Sequence, residues 1–188
     1  MKSNAMIMMS GMLLLLAACG QKNETANSDL NVATDNGVAL NRTAEGSPLT
    51  SQGFANAAAA SDRFEIESSK LAAASAQSAA VKSFAAKMIT AHTASTAKLK
   101  TAAATLSPTV TPDDTLSPDQ QQKLDNLKGL HGAAFDSAYG SAQVDAHQAA
   151  LDALKGYAAS GDNATLKDLA KAMVPTVTAH LNMAKSLK

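Results

Sequence analysis

The sequence has no tryptophan and one cysteine, Cys19. A lone thiol excludes both an internal disulfide and a cysteine metal cluster. Aromatic residues make up 3% of the 188, although hydrophobic residues reach 46%, so alanine carries much of the apolar count. The β-branched and aromatic residues that strands favour are therefore scarce, and alanine, which loses no side-chain entropy in a helix, points to an all-α fold. Neither sign of charge is in excess, at 16 Lys plus Arg against 16 Asp plus Glu. Without a basic surplus to neutralise phosphates, a nucleic acid is not expected as a partner. Phosphate-binding loops, a Ser-His-Asp arrangement with usable spacing and a nucleophilic cysteine are also missing, so nothing supports a hydrolase. No apolar run reaches the roughly 20 residues that a membrane-spanning helix needs.

What is present begins with Lys2 and a short, largely apolar stretch from Met6 to Ala18, followed by the polar run Gly20-Gln21-Lys22-Asn23. This order reads as a signal peptide over residues 1–18. Leu16-Ala17-Ala18-Cys19 resembles the bacterial lipobox. That resemblance implies that Cys19 receives a diacylglycerol and becomes the mature first residue, and two or three acyl chains anchor stably where one binds marginally. Gly20, rather than Asp, after the cysteine implies the outer membrane, with the protein facing the periplasm. Residues 19–53 are rich in Asn, Thr, Ser, Ala and Gly, without an aromatic residue or a sustained period. They are expected to form a flexible polar tether with a reach near ~30 Å.

Residues 54–188 are expected to form one bundle domain of four helices, read from the 3.6-residue apolar period. The first runs from about Phe54 to Ser78 and the second from about Ala80 to Leu106. A proline-rich break follows, after which Ser117, Pro118 and Gln120 form the start signal of a third helix. That helix is expected to reach about Ala159, with an interruption near Gly129 and Gly132. Gly161 supplies its C-terminal glycine and Asp162 the expected N-cap of a fourth, about Asn163 to Leu187, which contains Pro175. Short first and last turns around a longer middle connection predict two antiparallel hairpins in an antiparallel four-helix bundle.

Three histidines fall on apolar stripes. His92 follows Met88 and precedes Leu99, His147 precedes Leu151 and Leu154, and His180 lies between Val177 and Leu187. Each has a leucine seven residues on. Glu67, or Glu65, on the first helix completes a candidate polar layer, with Gln143 one turn before His147. Buried imidazoles and carboxylates need hydrogen bonds or a metal. Convergence of His92, His147, His180 and Glu67 or Glu65 predicts a mononuclear site for zinc, iron or copper, among which the sequence does not choose. A di-iron centre is disfavoured, because Ile89 and Val177 stand where its Glu-x-x-His pairs need acids. Asp136 and Tyr139 are expected as supporting hydrogen-bond or packing residues, and His131 as solvent-facing.

Glu65-Ile66-Glu67 with Lys70-Leu71-Ala72, Met88 through His92, Phe135-Asp136 with Tyr139, Gln143 with His147, and Val174-Pro175 with His180 and Ala184 form a set. In order and spacing they resemble the domain of unknown function 4142 family, over about Phe54 to Leu187. The resemblance implies an exported, ferritin-like helical bundle and leaves the activity open. It also implies an acid just before the second-helix histidine, where this chain has Ala91. The expected function is a non-enzymatic envelope module, lipid-anchored to the membrane, with an inward metal site. The alternatives are a ferritin-like, metal-dependent redox or stress-protection protein and an alanine-rich lipoprotein spacer. No protein partner can be read from the sequence.

Overall fold

The computed structural model describes residues 50–187. The expected signal peptide, Cys19 and nearly all of the expected tether lie outside the described residues. Five helices follow in order: α1 Ser51–Ser75, α2 Ala79–Ala104, α3 Pro118–Lys128, α4 Gly132–Ser160 and α5 Ala164–Lys185. Capping sets most of the starts. Thr50, Ser78 and Asn163 each accept a backbone N–H of the first turn with their side chains. Ser117 and Gln120 form the reciprocal capping box expected from their spacing. Helix α1 begins three residues before the expected Phe54, because Thr50 supplies its cap.

The single third helix expected from Pro118 to Ala159 is two helices. The chain leaves α3 at Gly129 and enters α4 at Gly132, whose φ of +62° is a left-handed conformation that favours glycine. Exposed His131 occupies the cap position between them without a side-chain bond.

The four long helices form a ring in the order α1, α2, α5, α4. The start of α1 meets the end of α4, where the Phe54 and Tyr157 rings stack at 4.1 Å and Ser51 bonds Asp162. The end of α1 meets the start of α4 at Ala76 and Gly132, so these two helices are antiparallel. Helices α2 and α4 then point the same way, and the segment joining them must return along the whole bundle. It does so against α1: Thr111 accepts from Gln52, Asp113 bonds Asn56, Leu124 packs on Phe64, and Leu127 packs in the cluster of Ala72. One long crossover in an antiparallel ring is the ferritin-like connectivity.

The apolar interior is split. One cluster, around Phe54, Leu99, Leu154, Leu166 and Leu181, fills the end where the α4/α5 turn lies. Another, around Val81, Phe84, Met88, Phe135 and Tyr139, fills the end of the α1/α2 turn. A polar layer separates them.

Candidate metal centre

That layer holds Asp62, Glu65 and Ser68 from α1, His92 from α2, Gln143 and His147 from α4, and His180 from α5, all buried. The three imidazoles form a nearly equilateral triangle, with ring centroids 5.5, 5.7 and 5.5 Å apart. One nitrogen from each ring lies within 4.8 Å of the other two. His180 thus shares the level of His92 and His147.

Each of two rings is fixed by what its Nδ1 meets. His92 Nδ1 lies 2.8 Å from Asp62 Oδ1, and Thr96 donates to the other carboxylate oxygen at 3.0 Å. His147 Nδ1 lies 2.8 Å from the Gln143 carbonyl oxygen, with Glu65 Oε1 flanking it at 3.5 Å. A carboxylate or carbonyl behind an imidazole fixes its tautomer and turns the Nε2 lone pair forward. His92 Nε2, His147 Nε2 and His180 Nδ1 are buried and have no hydrogen-bond partner among the described residues. Orphaned buried nitrogens cost free energy, and a cation between them would satisfy all three at once. Tetrahedral ligation at about 2.0–2.1 Å brings nitrogens roughly 3.3 Å apart, which small ring rotations would reach from this arrangement.

Electrostatics separate the three histidines. Burial would lower the pKa of His92, but the Asp62 hydrogen bond and the charges of Glu65 and Asp62 outweigh it and raise the value. Burial pushes His147 down to about 3 and His180 down to about 4. Both are therefore neutral near pH 7, the form in which imidazole binds a metal. Burial raises Glu65 to about 7, partly countered by His92.

Of the expected site residues, the structure brings together His92, His147, His180, Glu65 and Gln143. Glu67 is not among them. Its side chain is 40% exposed and pairs with Arg63 at 2.8 Å, because it lies two positions, about 200° of helical turn, from Glu65. Asp136 does not support the layer either: it accepts from the Gln77 and Ser78 backbone N–H groups at 3.1 and 2.8 Å, tying down the α1/α2 turn. Tyr139 is core, as expected, with its hydroxyl 2.8 Å from Ser69 Oγ. Asp62 was missed. The acid that the family resemblance places at Ala91 has a counterpart from another helix, since the carboxylate meeting His92 comes from α1. Asp62 could have been found by continuing the spacing Ala55, Ala59, Asp62, Ser69, Ala72, but alanine-rich turns give that stripe little contrast.

The family Domain of unknown function (DUF4142) matches residues 37–187, and the chain belongs to it. Comparison with curated proteins gives no match. Among solved structures, CopM in the Cu(II)-bound form is similar with a TM-score of 0.62 and 16% identity, over 74% of this chain and 95% of that one. At that identity the likeness is one of fold.

Proposed function

We propose, for this member of the DUF4142 family, that the bundle is an envelope metal-binding module holding one transition-metal ion on His92, His147 and His180. The observation that carries this reading is the convergence of three buried imidazoles, one nitrogen of each within 4.8 Å of the others, each ring keeping a buried nitrogen with no partner among the described residues. Three imidazoles without a carboxylate ligand suit copper or zinc, and copper binds such nitrogen sites most tightly among the divalent metals of its row. The Cu(II)-bound state of the fold neighbour points the same way. Asp62 and Glu65 stand behind His92 and His147 and orient them, and both acids would offset the charge of the ion. With no bridging carboxylate among the three ring nitrogens, the layer supports holding an ion rather than di-iron redox chemistry.

Thermal unfolding of tag-free, chelator-treated protein tests this. Cu(II) at about 100 times its Kd is expected to stabilise the domain by ~2.7 kcal/mol, which raises the melting temperature by roughly 9 °C for a domain of this size. Neither Cu(II) nor Zn(II) shifting the melting point would end the metal reading.

The envelope placement rests on the lipobox-like Leu16-Ala17-Ala18-Cys19. Among the described residues no helix is long and apolar enough to cross a membrane, so attachment would fall to acyl chains on Cys19. Cys19→Ser is expected to move the protein from the outer-membrane fraction to the soluble fraction. Retention of the variant in the membrane, at wild-type abundance, would count against lipid anchoring.

A further inference from the structure

Helices α2 and α5 are sparsely packed neighbours in the ring, far more so than α1 with α2 or α4 with α5. A cavity of about 180 Å³ lies in the bundle beside them. Its walls include Ala57, Ala58, Ala91 and Ala150, with Met173 and Val177 from α5. Small side chains here leave a volume, open to solvent where Ala94, Ala172 and Thr176 are exposed at its edge, that single larger residues could fill. An apolar cavity near ~150 Å³ is large enough to bind benzene.

The cavity also has a polar end. His92, Ser95 and His180 line it, and His92 Nε2, Ser95 Oγ and His180 Nδ1 are buried without partners among the described residues. Ser95 belongs neither to the histidine triangle nor to the acids behind it. A mid-helix serine whose hydroxyl is buried without a partner loses solvation for no gain in the fold. The acid at this level is already bonded, since Asp62 meets both His92 and Thr96. Apart from the already bonded Asp62, the charged residues of the lining are Lys98 and Lys123 against Asp119 and Asp145, so they carry no net charge to select an ion.

We propose that this alanine-walled chamber binds a small, uncharged aromatic molecule bearing one hydroxyl, with the ring among the alanines and the hydroxyl on Ser95 Oγ beside the imidazoles. The site does not require a metal, so it stands or falls separately from the copper reading.

The test is an amide-resolved NMR titration of the chelator-treated mature protein with phenol, and with benzene as the comparator lacking a hydroxyl. Saturable shifts are expected around Ala91, Ser95 and Val177. Ser95→Ala should weaken phenol about five- to tenfold, the worth of one buried hydrogen bond, while leaving benzene unchanged. Ala91→Leu, which fills the chamber, should abolish both; exposed Ala172→Leu at the lining serves if Ala91→Leu does not fold. Absence of saturable shifts at millimolar phenol overturns the proposal, as does equal binding of phenol by wild type, Ser95→Ala and the chamber-filling variant. Copper binding without phenol binding removes only the chamber; phenol binding without copper binding removes only the metal site.

Discussion

Replacing His147 with Leu is expected to weaken Cu(II) binding by more than ~100-fold, beyond the 10–100-fold that loss of an outer hydrogen-bond partner costs, while stabilising the metal-free domain. The two effects share a cause. His147 is 1% exposed, and its Nε2 has no partner among the described residues, so the metal-free fold carries the desolvation cost of that nitrogen. Leu fits the apolar neighbours on either side and removes the cost, a gain of about 1–2 kcal/mol. Acid sensitivity should fall as well. With a folded pKa near 3 against 6.5 for the free side chain, His147 binds its proton only in the unfolded chain between those values. Stability at this residue is therefore present above about pH 6.5 and lost as the pH drops toward 3. Competition against a chromophoric chelator and urea unfolding at pH 7 and pH 5 measure the three quantities. A Leu variant that kept its copper affinity, or was destabilised by several kcal/mol, would show the ring to be a structural core residue instead.

Glu65→Gln is expected to have an effect that depends on pH. The Glu65 carboxyl is 2% exposed, and neither oxygen makes a hydrogen bond of good geometry among the described residues; burial raises its pKa from 4.5 to about 7, partly countered by the nearby His92 and the Gln143 amide. A group whose folded value is raised holds its proton in the fold after the unfolded chain has lost it. Its contribution is full below pH 4.5, declines through the window up to 7, and stays lost above. At 1.36 kcal/mol per unit, the metal-free wild type at pH 8 is less stable than the Gln variant by about 3 kcal/mol. At pH 4.5 the two should coincide, since Gln mimics the protonated acid. Urea midpoints of both proteins from pH 4.5 to 8 give the curve directly. A constant difference across that range would mean that Glu65 does not titrate in the fold. The same substitution should weaken metal binding by 10–100-fold, because Glu65 flanks the Nδ1 side of His147.

The long helices were legible because their punctuation is chemical: Ser117-Pro118 with Gln120, Gly129 with Gly132, and Gly161 mark starts and stops that the structure keeps, although the cap of α5 is Asn163 rather than the expected Asp162, which bonds Ser51 and Tyr157 instead. The histidine triangle was legible because α2, α4 and α5 carry large apolar residues such as Phe84, Leu151 and Val177 that fix each inward face. Helix α1 is different. Ala57 through Ala60, Ala72 through Ala74 and its serines leave its face weakly marked, and a rotation of one residue, about 100°, moves the inward acids from Glu67 to Asp62 and Glu65. The crossover adds to the ambiguity by covering a second side of α1, so that Phe64 is buried against Leu124 rather than against the histidines. Asp136 illustrates a limit of another kind. Its partners are backbone N–H groups of a turn 58 and 59 residues away, and no local pattern announces such a contact.

The polar layer is divided between the two hairpins: Asp62, Glu65 and His92 belong to α1 and α2, and His147 and His180 to α4 and α5. Each hairpin made alone would keep these groups in water and lose the apolar contacts across the ring, with the few hydrogen bonds such as Ser69 to Tyr139 that join the halves. Dehydration of three imidazoles and two acids is thus deferred to the step at which the halves join. Local hairpin formation should be quick, and assembly of the halves is where the barrier concentrates. An ion that bridges the seam would slow amide exchange in all four long helices together, so occupancy would be felt as a change in how tightly two preformed units are bolted to one another.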